Sequence, residues 1–89
     1  PPPPDAPPPP EDNPDPVRLF VDFDGSIFWN GSPIDSATLQ RDLAIEAQRA
    51  KQPEIHIEPH RLAKYQVVAH VMASAQREGL TKLGVIGGT

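Results

Sequence analysis

Two aspartates near the start of the chain have the residue type and spacing that chemistry on a phosphate group requires. Asp22 and Asp24 follow an apolar run and precede Gly25, in the segment LFVDFDGS at residues 19–26. In such a pair, one carboxylate can attack phosphorus while the other serves as acid or base, with Mg²⁺ between them. This pair is therefore the first candidate for an enzymatic site.

The same segment resembles the nucleophile loop of the haloacid dehalogenase phosphatases, but the rest of that apparatus is missing. Those enzymes need a later pair of acidic residues to hold Mg²⁺ and a much longer doubly wound fold, whereas the last 11 residues of this chain contain no acid. Asp24-Gly25 is also a typical hairpin turn. We therefore predict that the chain is not an enzyme and has no catalytic residue.

Three residues in the middle of the chain have the types that bind metals. His56, Glu58 and His60 lie two apart, so a strand would place them on one face. Pro59 interrupts that strand and no fourth ligand is apparent, which favours ordinary surface histidines. The chain contains no cysteine, so disulfides and thiolate metal sites are excluded. We predict no metal and no cofactor.

Proline content and charge divide the chain into two parts. It has 89 residues, and ten of its 13 prolines lie in residues 1–16. These residues also carry the whole net charge of −4, since from Val17 onward eight acids balance eight bases. We expect residues 1–16 to be an acidic, extended or disordered linker, or a ligand for a proline-binding groove, and residues 17–89 to be one small domain. Without a basic field, nucleic-acid binding is disfavoured.

Periodicity and turn residues predict the elements of this domain. Residues 17–23 and 26–29 alternate as two strands around a turn at Asp24-Gly25. The other elements are a helix from Asp35 or Ser36 to about Ala50, a strand at 55–58, a helix at about 64–78 with Tyr65 as a half-buried anchor, and a last strand at 80–86. The order β-β-α-β-α-β predicts an α+β two-layer sandwich, with a mixed sheet and two helices on one face.

The second face of the sheet is expected to stay open. A two-residue loop at Asp24-Gly25 makes Val21 face Phe28 across the hairpin. In this register, the open face carries Phe20, Ile27 and Trp29. We expect these three residues to contact a partner or a second copy, or to pack under the linker.

The order of these segments resembles the periplasmic domain of the ExbD/TolR family, and its ExbD branch most closely. The similarity covers residues 16–88 and rests on order and spacing, because no single motif is specific. The matching features are Pro16-Val17 at the first strand, a polar turn before an aromatic strand, Pro33-Ile34 before the first helix, Tyr65 with Val71-Met72, and Gly79 with Lys82-Leu83-Gly84. His60 stands where the family commonly has an acidic residue, which puts any role of that carboxylate in doubt.

The resemblance implies a non-enzymatic periplasmic domain of a motor subunit driven by the proton motive force. In that family the domain follows one inner-membrane helix and a linker, and it pairs as a homodimer. With ExbB, the motor energises TonB for uptake of iron-siderophores and similar nutrients. The membrane helix, with its proton-responsive aspartate, is absent from this chain, which we expect to be a fragment. The alternatives are a TolR-like subunit that works with TolQ and TolA and interacts with peptidoglycan, or a stand-alone small-ligand or metal-binding module.

An exposed strand edge suits such a partner, because its unpaired backbone groups can bind an extended peptide by strand addition. We expect a TonB segment to bind the edge of the last strand. The candidate residues are Lys82, Leu83, Gly84, Val85 and Ile86.

Overall fold

A computed structural model describes residues 14–87, in which a five-stranded mixed sheet carries two helices on one face. The strands are β1 (Val17–Val21), β2 (Ile27–Trp29), β3 (Ser32–Ile34), β4 (Ile55–Pro59) and β5 (Leu83–Val85), and the helices are α1 (Ser36–Ala47) and α2 (Tyr65–Arg77). The predicted α+β class is confirmed. Residues 1–13 of the predicted linker, and residues 88–89, lie outside the described part of the chain.

The strand order in the sheet is β3-β2-β1-β4-β5. β1 pairs with β4, and β4 with β5, in parallel, while the two hairpin pairs β1–β2 and β2–β3 are antiparallel. β4 and β5, the two strands joined by α2, are parallel, as expected for a strand–helix–strand crossover. The short strand β3 was not predicted, because Pro33 within it interrupts the strand pattern.

The first hairpin has a three-residue loop rather than the predicted two-residue loop. The Asp22 N–H donates to the Ser26 carbonyl at 2.8 Å, and the Gly25 N–H donates to the Asp22 carbonyl at 3.1 Å. Gly25 has a φ of +90°, and Asp24 is not among the residues with positive φ. One left-handed glycine after an ordinary turn is the usual geometry of a three-residue hairpin loop.

This extra loop residue shifts the predicted register by one position. Val21 faces Ile27, Phe20 faces Phe28 and Leu19 faces Trp29. A shift of one residue moves every side chain of a strand to the other face. The prediction that Ile27 and Trp29 lie on the open face is therefore wrong: Ile27 is buried in the core, and Trp29 packs against it from the helix side.

The second hairpin has the tight turn that Asn30-Gly31 predicts. Asn30 has a φ of +49° and Gly31 a φ of +90°, as a two-residue loop that matches the strand twist requires. The Asn30 side-chain oxygen also accepts the N–H of Arg18 at 2.8 Å. This bond fixes the hairpin against the start of β1.

The core lies between the helices and the helix-facing side chains of the sheet. Leu19, Val21, Ile55 and Ile57 have no exposed surface, and their neighbours from the helices include Leu43. α1 begins at Asp35, whose carboxylate accepts the Thr38 N–H at 2.7 Å, and it ends at Ala47 rather than near residue 50. Burying these apolar side chains is the main stabilising contribution in a domain this small.

α2 covers the sheet with most of the stripe that its helical spacing predicts, which is Tyr65, Val68, Met72 and Ala75, flanked by Val71. Val71, Ser74 and Ala75 are buried, whereas the predicted half-buried anchor Tyr65 is 82% exposed. Tyr65 is the first residue of the helix. Neither helix in the described part of the chain has the length and apolar character that a membrane span requires.

One glutamine joins the ends of both helices to the start of β5. The Gln52 amide N–H₂ donates to the carbonyls of Ala47 and Gly79, each at 3.0 Å. Its carbonyl accepts the N–H and the hydroxyl of Thr81 at 3.1 and 3.2 Å. These four bonds position the chain that leads into the edge strand.

Candidate functional site: the β5 edge and the α2–β5 groove

β5 forms one edge of the sheet, and its outer side has free backbone positions. Toward β4, the Lys82 carbonyl accepts the Ile55 N–H and the Ile86 N–H donates to the Ile57 carbonyl, both at 2.8 Å. Successive backbone groups of a strand point to opposite sides. The N–H and C=O groups of Leu83 and Val85 therefore point away from β4, toward the open edge.

The opposite edge, β3, is less suited to strand addition. After a two-residue turn, Trp29 and Ser32 form the hydrogen-bonded pair, so the nitrogen of the next residue, Pro33, faces outward. Proline has no N–H to donate, and edge prolines are a common protection against strand pairing. The two edges therefore differ in their capacity to bind an extended peptide.

A groove with a volume of about 480 Å³ lies beside β5, between that strand and α2. The sheet ends at β5, so part of the apolar side of α2 is not covered by a further strand. This uncovered part forms the floor of the groove. The apolar lining residues are Pro59, Ala63, Val68, Ala69, Met72, Ala73 and Val85, with His60, Arg61, Tyr65 and Gln76 around them. Val68 and Met72 are partly buried, and Val85 is 48% exposed.

The groove and the edge are adjacent parts of one surface. Val85 pairs with the buried Ile57, so its side chain lies on the helix side and lines the groove, while its outward backbone groups belong to the edge. Side chains of a strand alternate between the two faces. A strand added to β5 would thus place every second side chain in the α2–β5 groove.

The open face carries aromatic rings, although not the set predicted. Phe20 lies there next to Phe28, with ring centroids 6.1 Å apart, and its ring is 6.4 Å from that of His60. Phe23, in the hairpin loop, is 57% exposed and lies 5.6 Å from His60. Of the predicted trio, only Phe20 remains a candidate for contact on this face.

Beside these rings, a charge pair joins β1 to β4. Arg18 donates from Nε and an Nη to the two carboxylate oxygens of Glu58 at 2.8 and 3.0 Å. These bonds lower the pKa of Glu58 against a smaller opposing effect of burial. Both side chains line a shallow pocket with Phe20 and Asn30. The pair is a structural contact of the open face.

The residues considered for catalysis are engaged in local turns. The Asp22 carboxylate accepts the Phe23 N–H at 2.8 Å, and that of Asp24 accepts the Ser26 N–H at 2.9 Å. The latter bond lowers the pKa of Asp24. Both carboxylates thus stabilise the hairpin loop that follows β1.

The residues considered for metal binding make separate contacts. The imidazole of His56 bonds to Glu54 at 2.9 Å, while Glu58 pairs with Arg18. Among residues 14–87, no three histidines or acids are grouped to hold a metal ion.

The α2–β5 groove was not found from the sequence. Val68 and Met72 follow a helical spacing that is typical of core residues, and Tyr65 belongs to the same stripe. Whether such a stripe is covered depends on where the sheet ends. The position of the sheet edge is set by strand pairing, and the periodicity of a helix gives no information about it.

Comparisons with known proteins match one family over most of the chain. Residues 2–87 match the model of a family described as "Biopolymer transport protein ExbD/TolR". "Biopolymer transport protein exbD2" of Xanthomonas campestris pv. campestris is 36% identical over 73 residues, which are 80% of this chain and 54% of the relative. "Biopolymer transport protein ExbD" of Pseudomonas aeruginosa is 31% identical over 72 residues, 81% of this chain and 54% of the relative. The chain thus spans about half the length of these relatives.

Proposed function

This chain belongs to the ExbD/TolR family of biopolymer transport proteins, and on that premise we propose that residues 17–87 are a partner-binding domain of a transport motor subunit. The domain is non-enzymatic and lies in the periplasm. It binds an extended TonB segment by strand addition at β5, and so takes part in energising TonB for nutrient uptake, including iron-siderophores. The names of the relatives, which are ExbD rather than TolR, support this branch.

The observation that carries the proposal is the asymmetry of the two sheet edges. β5 directs the N–H and C=O groups of Leu83 and Val85 outward, whereas Pro33 removes an outward donor from β3. A strand that pairs with β5 gains main-chain hydrogen bonds, which give affinity without a specific sequence. The partner is therefore an extended peptide.

The groove supplies the sequence preference that main-chain bonds lack. Every second residue of the added strand meets Val68, Met72 and Val85, so aliphatic side chains are favoured there. The side chains between them project over the other face beside His56 and Lys82. We therefore expect a segment with apolar residues at alternating positions and polar residues between them.

Other parts of the proposal concern the longer protein. ExbB would contact the membrane-spanning part of the longer subunit. Homodimer formation is proposed from the family resemblance, with Phe20 and its neighbour Phe28 as candidate contacts on the open face. A TolR-like role with TolA and peptidoglycan is the competing proposal, and TolA peptides distinguish it.

Substitution of Val85 by proline tests strand addition. Val85→Pro removes an outward N–H and leaves in place the bonds to β4 that Lys82 and Ile86 make. We expect the affinity for a TonB peptide to fall at least about tenfold. Isothermal titration calorimetry measures the affinity, and circular dichroism checks that both helices remain.

The matched control is Val85→Ala, which shortens the side chain and keeps the N–H. It should lose less affinity than Val85→Pro, because it weakens only the groove contact. Equal affinities of the wild type and Val85→Pro for the peptide would refute addition at this edge.

A further inference from the structure

His60 connects the end of β4 to both surfaces of the domain. Its backbone N–H donates to the Val21 carbonyl at 2.7 Å, and its own carbonyl accepts the Ala63 N–H at 2.8 Å. Its ring packs against Phe20 and Phe23, and the residue is also among those that line the α2–β5 groove. A change in the protonation of His60 can therefore alter the conformation of the loop between β4 and α2.

The imidazole of His60 contributes one hydrogen-bond acceptor to this loop. The Leu62 N–H donates to Nδ1 of His60 at 3.0 Å, within the turn that the Ala63 N–H bond also closes. A side-chain acceptor two residues before the bonded N–H is the arrangement that Asp and Asn commonly make in turns. Here a histidine makes it, and histidine changes charge between about pH 5 and 8.

Protonation removes this acceptor. Neutral imidazole can carry its proton on Nε2 and accept at Nδ1, but in the imidazolium both nitrogens are donors. The Leu62 N–H would then face an N–H. The ring contacts with Phe20 and Phe23 are not lost in the same way, because a cation can also lie against aromatic rings. The bond to Leu62 is thus the contact that acidification breaks.

We propose that His60 is a pH-sensitive positioning residue of the α2–β5 groove, and that its neutral form sets the loop shape in which the groove accepts an added strand. This regulation rests on the proposed function of the β5 edge. The loop contributes Arg61 and Ala63 to the groove wall and leads into Tyr65. Release of the Leu62 N–H at acid pH loosens that wall and weakens binding.

His60 contacts the first hairpin through Phe20 and Phe23, and it lies between β4 and the loop that leads into α2. The titratable and charged groups on these elements nearest in sequence are Asp22 and Asp24 of the first hairpin, Glu58 of β4, Arg61 and Lys64 of the loop, and Tyr65 of α2. Asp22 and Asp24 bind N–H groups of their own turn, and Glu58 binds Arg18. The acidic side chains named here thus have other partners within hydrogen-bond distance.

An NMR titration of the isotope-labelled chain without any partner tests the loop contact. Between pH 8 and pH 5, the Leu62 amide proton should shift upfield, with the same midpoint as the ring protons of His60. In His60→Asn, an amide oxygen near the position of Nδ1 accepts without titrating, so the shift should disappear. His70→Asn and His56→Asn are the controls, and both should keep it. A Leu62 amide that does not titrate, or that still titrates in His60→Asn, overturns the proposal.

A second experiment measures affinity for a TonB peptide that has capped ends and no histidine. Loss of one loop hydrogen bond should weaken binding by about two- to tenfold at pH 5.5 relative to pH 7.5. His60→Asn should abolish this difference, and His70→Asn should retain it. If Leu62 titrates but affinity is constant with pH, regulation of the groove is wrong. If no peptide binds at either pH, the proposed function fails, and the Leu62 titration still decides the loop contact separately.

Discussion

Glu58, Asp24 and Asp35 are carboxylates whose folded environment favours the ionised form. Arg18 lowers the pKa of Glu58 by hydrogen bonding, and the backbone N–H groups of Ser26 and Thr38 lower the pKa values of Asp24 and Asp35. A folded pKa below the unfolded value adds stability above the unfolded value, and this stability is lost as pH falls through the folded one. The domain should therefore lose stability below about pH 4.

Glu58→Gln tests this at the scale of one residue. The free energy of unfolding of the wild type should decline more steeply below pH 4.5, the reference pKa of glutamate, than that of the variant. The two curves should converge in strong acid, because a protonated Glu58 resembles Gln. Urea denaturation followed by circular dichroism between pH 2.5 and pH 7 provides the data.

Arg18→Gln is the partner control for the same interaction. It should reproduce most of the effect of Glu58→Gln, and the double variant should add little, since both changes remove one pair. Because Arg18 is largely exposed, the effect is modest and decreases with added salt. Parallel curves for the wild type and Glu58→Gln would contradict this account.

At the scale of elements, periodicity predicted both helices and most strands, but not the register of the first hairpin. Asp24-Gly25 is compatible with a two-residue loop and with the observed three-residue loop, and the two differ by one residue in pairing. This difference of one residue in loop length decides whether Ile27 or Phe28 enters the core. The observed loop buries Ile27 opposite Val21. The choice depends on tertiary packing, which local turn residues do not specify.

The candidate site was predictable only in part, because its groove also depends on tertiary packing. The last strand follows from its apolar residues, and its candidate edge residues 82–86 include the observed β5. The groove beside it depends on the way α2 extends past the sheet, and this leaves Val68 and Met72 partly exposed. Gln52 also gave no sequence signal, because its bonds reach residues up to 29 positions away.

Gln52→Leu tests how the elements are tied together at the start of β5. The change leaves the carbonyls of Ala47 and Gly79 and the N–H of Thr81 without their partner. We expect a loss of about 1 kcal/mol in the free energy of unfolding, the net contribution of a typical hydrogen bond, because Gly79 and Thr81 are exposed and water can replace the lost partner there. Urea denaturation at pH 7 measures it.

Gln66→Leu is the matched control, because Gln66 is an exposed residue in the first turn of α2. Its effect should stay within about 0.5 kcal/mol, as for most surface substitutions. If Gln52→Leu is as mild as this control, the four bonds do not position the start of β5.

At the scale of the whole molecule, the described residues form a domain with two unlike edges and two unlike faces. One edge contains Pro33, while the other presents free backbone groups next to an apolar groove. The helix-covered face holds the core, and the opposite face carries Phe20, Phe28 and the Arg18–Glu58 pair. This arrangement suits a domain that binds one extended partner at β5 and keeps its second face for another contact.

The most direct test of strand addition at β5 is an NMR titration of the labelled chain with peptides that span the periplasmic region of TonB, with TolA peptides as the control. The account predicts downfield shifts of the Leu83 and Val85 amide protons, because their outward N–H groups gain acceptors, and perturbation of Val68 and Met72 in the groove. Ser32 and Ile34, in the opposite edge strand, should not move. Shifts confined to β3 or to the open face, or no response to TonB peptides at all, would contradict it.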